Sequence, residues 1–150
     1  MKRKILFGIL VSVVLVQFIQ PTKNLGNLDS PDDIHQALEI PPVVSSILKQ
    51  SCYDCHSNRT KYPIYANLTP LNWWMADHVA DGKAELNFSV FKNYSLARQT
   101  GTLEAIAETV KSDIMPLPSY VLMHPDAKLT PTKKLAVFNW AIASNRNLKN

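Results

Sequence analysis

The chain opens on three cations, Lys2, Arg3 and Lys4, followed by a stretch without charge, ILFGILVSVVLVQFI, from Ile5 to Ile19. That stretch is apolar on every side, so its length decides how it reads. The h-region of a cleaved signal peptide runs roughly 7–15 residues before a small-x-small cleavage site. A spanning helix needs roughly 17–25 apolar residues. The exit, Gln17-Phe18-Ile19-Gln20-Pro21, is bulky where a signal peptidase wants small residues. The favoured reading is therefore an uncleaved anchor over residues 1–20, with a cleaved signal peptide as the alternative. In both cases the basic residues stay cytoplasmic, and the chain from about residue 21 onward is exported.

The pattern then changes. Residues 21–40, carrying Asp29, Asp32 and Asp33, read as a polar tether. Pro41-Pro42 opens a helix from about Val43, with Val44, Ile47 and Leu48 on one face, and that helix runs into Cys52. Asn58 to Pro70 is a Pro- and Tyr-bearing loop. Asn72 to Asp81 forms a second helix, ended by Gly82. Asn87 to Tyr94 connects it to a third helix within Leu96–Ile114, where Leu103, Ile106, Ala107 and Val110 fall at helical spacing. Thr130 caps a last helix with Pro131 in its first position. Leu135, Phe138 and Ile142 form its apolar stripe, and Trp140 lies off that stripe. There is no hairpin signal and no internal repeat. The expected fold is all-α, a few short helices and long loops, with residues 41–150 as the domain.

Composition narrows the picture. The chain has 150 residues, room for one hydrophobic core. Ten prolines against four glycines suggest stiff loops rather than disorder. The net charge of +4 lies mostly at the N-terminus: without Lys2, Arg3 and Lys4, 13 basic residues face 12 acidic ones. Nothing clusters into the basic face that nucleic acid requires, so no nucleic-acid partner is expected.

The chemistry concentrates in QSCYDCHSN, Gln50 to Asn58, which holds both cysteines, Cys52 and Cys55, with His56 directly behind. A thioredoxin-like pair would need a strand before it, and the preceding segment looks helical. Structural zinc needs four ligands, and His35, His78 and His124 are scattered singly. A disulfide across one helical turn would close a tiny loop and stabilise little. Cys-x-x-Cys-His is the pattern of covalent haem attachment. Positions three apart share a helix face, so both thiols can reach the two vinyl groups on one porphyrin edge. His56 then binds the iron on the proximal side.

A second axial ligand would come from Met75, His78, Met115, Met123 or His124. Met115 is preferred. Pro116 and Pro118 follow it, ending the helix and stiffening the loop that presents its sulfur. His78 is the main rival. Bound haem would also fill the gap between so few short helices. Trp73, Trp74, Tyr62 and Tyr65 are candidates to wall its pocket, with Arg59 or Lys61 meeting the propionates.

The segments CYDCHSN, YPIYANLTPLNWWMADHVADGKAELNFS and IMPLPSYVLMHPDAKLTPTKKLAVFNWA resemble the bacterial haem-binding domain family, small exported proteins related to monohaem c-type cytochromes. The resemblance covers about residues 40–145. The order of parts also resembles the class I cytochrome c plan. It implies one covalent haem c, with Cys52 and Cys55 as thioether sites, His56 as proximal and Met115 as distal ligand. The long aromatic insertion after His56 departs from that plan.

The expected function is one-electron transfer, not catalysis, by a small exported cytochrome tethered to the outer, periplasmic side of the cytoplasmic membrane. Its partner would be a redox protein of unspecified identity. The alternatives are a haem-based sensor or enzyme with a labile distal ligand, and a haem-carrying subunit of a larger respiratory complex.

Overall fold

The computed structural model describes residues 2–27 and 29–150, and the regular elements among these residues are helices. Among the described residues, eight α-helices follow in chain order: α1 Lys2–Val16, α2 Ile34–Ala37, α3 Pro42–Ser51, α4 Tyr53–His56, α5 Leu71–Glu85, α6 Leu96–Lys111, α7 Pro118–Met123 and α8 Pro131–Lys149. Three 3-10 turns, Ile64–Asn67, Phe88–Asn93 and Pro125–Ala127, complete the set. The one β element among the described residues is an isolated antiparallel bridge between Leu25 and Arg59.

The core forms where α3, α6 and α8 meet. The α6–α8 pairing is the most extensive in the molecule. On α3 the buried residues are Val44, Ile47, Leu48 and Ser51, the face its periodicity predicts. On α6 they include Leu103, Ile106, Ala107 and Val110, again as the spacing predicts. Helix α8 differs. Thr130 caps it as expected, its hydroxyl accepting from the Lys133 N–H. Its buried face, however, is Val137, Trp140, Ala141 and Ser144, while Leu135 is 58% exposed. The helix packs against both α6 and α3, so the buried stripe faces the seam between two partners. Trp140 fills that seam, and its indole N–H donates to the Glu39 carbonyl at 3.2 Å.

Two irregular stretches are also core. Phe88 and Phe91, in a 3-10 turn without helical periodicity, are completely buried. Each removes enough apolar surface to stabilise the fold by about 1.5–3 kcal/mol. Ile34, within the stretch that reads as a tether, is also completely buried. Asp33 caps its short helix by accepting from the His35 N–H at 3.0 Å.

Helix α1 buries none of its residues. At 15 residues it is about 22 Å long, and no helix among the described residues is long and apolar enough to cross a membrane. Its exit is tied down. The Gln17 amide donates to the Thr69 carbonyl at 3.2 Å and accepts from the Thr69 N–H at 3.0 Å. The Trp73 indole donates to the Ile19 carbonyl at 2.9 Å, and the Asn72 amide donates to Gln20 Oε1 at 2.7 Å. Residues 17–26 thus lie along residues 57–73 rather than hanging free.

Candidate functional site

Cys52 closes α3 and opens α4, so no linker separates the core from the cysteine turn. Its N–H donates to the Leu48 carbonyl, and the N–H groups of Cys55 and His56 return to the Cys52 carbonyl. Both cysteines are free thiols. Burial pushes the Cys52 thiol up to about 12, with the neighbouring Cys55 adding to the shift. Burial, and then the Asp54 charge, push the Cys55 thiol up to about 11. Both sulfurs are therefore protonated at neutral pH. The thiolate is the form that attacks and oxidises, so both thiols react slowly in this conformation.

His56 is fixed by α5. Its Nδ1 lies 2.8 Å from the Gly82 carbonyl oxygen and 3.1 Å from that of Leu86. Both partners are pure acceptors, so Nδ1 carries a proton and Nε2 is the nitrogen left for a ligand. That is how a metal-binding imidazole is oriented and made more basic. The ring also meets Phe88 edge-on at 6.3 Å.

Gly82 makes this approach possible. It does not end the helix, as its residue type suggests; α5 continues to Glu85. A Cβ at position 82 would lie 2.9 Å from the Cys55 carbonyl oxygen and 3.1 Å from the Cys55 Cβ. Here glycine is a contact point between α5 and the cysteine turn.

The two spacer residues between the cysteines face opposite ways. Tyr53 is buried against the core, stacked on Phe88 at 4.9 Å. Its hydroxyl donates to the Asp33 carboxylate at 3.2 Å. Asp33 also takes the Nδ1 of His35 at 2.6 Å, while His35 Nε2 meets Ser45 Oγ at 2.8 Å. Asp54 turns outward to α7. Its Oδ2 accepts from the Tyr120 hydroxyl at 2.7 Å, and its Oδ1 accepts from the Lys61 N–H at 3.0 Å. Burial and the proximity of Asp54 hold the Tyr120 hydroxyl well above the usual phenol range.

Beside Cys55 lies a cleft with an almost wholly apolar lining. Met75, His78 and Trp74 of α5 line it together with Tyr120, Met123 and His124. Tyr65 of the long loop joins them, its hydroxyl 3.3 Å from His124 Nε2. Of the expected aromatic wall, Trp74 and Tyr65 are present. Trp73 instead bonds Ile19, and the Tyr62 hydroxyl accepts from the Asn24 N–H. Lys61 stands at the boundary with a second, open cleft that also carries Arg59, Lys49 and Lys92.

The four rivals for the distal position, Met75, His78, Met123 and His124, all line the apolar cleft. Both nitrogens of His124 are engaged, one with Tyr65 and one with the Tyr120 carbonyl. His78 uses only Nδ1, at 2.9 Å from the Trp74 carbonyl. Met115 is not part of that lining. It is half-buried, two residues before Leu117, which does line the cleft. Its backbone is firmly placed: Asp113 adopts a left-handed conformation (φ 61°), and the N–H groups of Ile114 and Met115 both return to the Thr109 carbonyl.

A helical shell around one turn with two protonated thiols, a tautomer-fixed imidazole and an adjoining apolar cleft has the parts of a haem site. These residues fit that group by their chemistry: His56 Nε2 would serve as an iron ligand, and apolar side chains line the cleft beside Cys55, which as it stands holds about 40 Å³ and does not include His56 in its lining. The family profile described as haem-binding domain matches residues 11–143, and the chain belongs to that family. No curated protein and no solved structure matches the chain.

Proposed function

We propose that this protein is a monohaem c-type cytochrome of class I type that carries single electrons. The observation that carries the reading is the double carbonyl grip on His56 Nδ1 directly behind two free thiols on one turn. The thiols of Cys52 and Cys55 would each add across one vinyl group, the S–H hydrogen passing to the neighbouring carbon and no atom being lost. His56 Nε2 and the Met115 sulfur would hold the iron. Haem contributes the one-electron couple. The chain's residues orient it, exclude water from the apolar cleft and set its potential. Thioether ligation raises that potential relative to two imidazoles. With both axial positions filled by side chains no site remains for substrate, which favours a carrier over an enzyme.

His78 is the second reading for the distal ligand, because it lines the cleft beside Cys55 with an uncommitted Nε2. The spectrum of the ferric protein separates the two. Methionine ligation gives a weak long-wavelength absorption band and a matching magnetic circular dichroism signal. Met115→Ala should abolish both and lower the potential, and His78→Ala should leave both unchanged. The opposite result installs His78. Ready carbon monoxide binding by the ferrous wild type would replace the carrier with a sensor or enzyme. Attachment itself is read from the mass of the acid-extracted protein: a haem increment that survives extraction supports it, and its loss refutes it.

The carrier would be exported and held at the outer face of the cytoplasmic membrane by Ile5–Ile19, with a redox protein as donor or acceptor. Retention of the N-terminal segment is supported by its bonds to the domain, since cleavage after it would strip the partners of Thr69 and Asn72. A helix of about 22 Å is short for a hydrocarbon layer of about 30 Å, a mismatch that bilayers accommodate by thinning locally. The same mass measurement shows whether the first twenty residues remain.

A further inference from the structure

The corner formed by the Ile64–Asn67 turn and the start of α5 carries four large apolar side chains in eleven residues. Ile64 is 91% exposed, Leu68 55%, Leu71 45% and Trp74 43%. Isolated exposed apolar residues need no explanation. A local group of them at one particular place does. This group sits where α1 leaves the domain. Residues 17–20 bond directly to residues 67–73 through the Gln17–Thr69 pair, the Trp73–Ile19 bond and the Asn72–Gln20 bond. No free hinge lies between the end of the apolar helix and this corner.

We propose that this corner is a second membrane contact, with Ile64, Leu68, Leu71 and Trp74 seated in the interfacial layer of the bilayer that holds α1. The inference rests on the anchor reading given above. The end of a membrane-embedded helix lies at the interface, so a surface bonded to that end lies there too. Tryptophan favours this layer, where its apolar body is covered and its N–H stays wet. The shortness of α1 works in the same direction, because a span shorter than the hydrocarbon layer draws its flanks inward. Lys23, whose Nζ bonds Asn67 Oδ1 at 2.7 Å, places a cation beside the corner for lipid phosphate. Two contacts fix the tilt of the domain, where a single anchor would let it swing. The apolar cleft beside Cys55 shares Trp74 with the corner, so it is held at a constant height above the lipid.

The test uses the haem-loaded full chain in nanodiscs of phosphatidylcholine and phosphatidylglycerol, doped with a phospholipid bearing a diazirine near its glycerol backbone. After irradiation, labelled peptides are mapped by mass spectrometry. Label is expected on residues 5–19 and on residues 64–74. None is expected at Leu96 or Leu135, which match Leu68 in exposure at 56% and 58%. Label on 5–19 without label on 64–74 overturns the second contact and leaves the anchor standing. Absence of label from both overturns the anchor and the contact together. Equal label at Leu96 and Leu135, or crosslinks joining the corners of two copies, shows that the corner has no special relation to lipid and also overturns the proposal. Ile64→Ser with Leu68→Ser, both at exposed positions, should lose the label at 64–74 while keeping that on 5–19 and an unchanged haem spectrum. Undiminished label at the corner of this variant counts against the proposal.

Discussion

Substituting alanine for Gly82 tests the geometry of the site most directly, because two simple arguments give opposite signs. Glycine inside a helix costs about 1 kcal/mol relative to alanine, so helix propensity alone predicts a more stable protein. The contact with the cysteine turn predicts the reverse. The new Cβ would stand 2.9 Å from the Cys55 carbonyl oxygen, 3.1 Å from its Cβ and 3.3 Å from its carbonyl carbon. Ordinary contact begins at about 3.4 Å, and two of these neighbours are backbone atoms that cannot rotate away. Helix α5 must therefore retreat by several tenths of an ångström. Overpacking of this kind costs about 1–3 kcal/mol. Loosening the His56–Gly82 bond adds about 0.5–1.5 kcal/mol. Against the propensity gain, the net loss is on the order of 2 kcal/mol, which for a chain of this size lowers Tm by about 4–8 °C. Thermal unfolding followed by circular dichroism measures it. The retreat also weakens the acceptor behind the His56 imidazole, so if His56 holds the iron as proposed, the potential of the haem-loaded variant should rise as the imidazole donates less charge to ferric iron. A variant that melts at or above the wild-type temperature with an unchanged potential would refute the close approach.

Ile34→Ala should cost about 2–5 kcal/mol despite its place in a polar stretch, because the side chain is completely buried; urea denaturation that shows a loss under 1 kcal/mol would return that stretch to the status of a tether. Tyr53 and Tyr120 are both held above the usual phenol range, first by burial and then by Asp33 and Asp54 respectively. A folded-state value above the unfolded one gives stability that is complete below about pH 10 and declines as pH rises beyond it. Urea midpoints should therefore fall through the alkaline range, and Tyr120→Phe should make that fall shallower; an identical slope in the variant argues against the Asp54–Tyr120 bond. Tyr120→Phe should also cost about 1 kcal/mol at neutral pH, since it leaves one carboxylate oxygen of Asp54 without its donor.

Much of the scaffold is legible in the sequence, and what is not has identifiable causes. Thr130-Pro131 marks its helix start because capping is local, a hydroxyl reaching an N–H three residues on. The buried faces of α3 and α6 follow from periodicity because each presents one side to the core. Helix α8 meets two neighbours, and its burial is set by their spacing rather than by its own richest stripe. Phe88 and Phe91 escape periodicity because a 3-10 turn lacks the 3.6-residue repeat. Gly82 reads as a helix stop because glycine often is one; its role comes from Cys55, 27 positions earlier in the chain. The bonds of Gln17 and Gln20 to residues 67–72 span about fifty positions, and no local pattern encodes them. The cysteines and His56 are the opposite case, because they stand within five residues of one another and the structure keeps them on one turn. The distal ligand has no such closeness in sequence, and four candidates other than Met115 gather in the cleft beside Cys55.

Tyr53 and Asp54 carry a consequence for anyone re-engineering this protein. The proposed attachment would leave both positions open, yet one is a root driven into Phe88 and Asp33 and the other a strap across to Tyr120. Replacing them with a neutral pair such as Ala-Ala would preserve the reactive groups and detach them from everything that holds them still. Haem could then be loaded onto a handle that wobbles, with a broadened spectrum and a scattered potential as the visible sign.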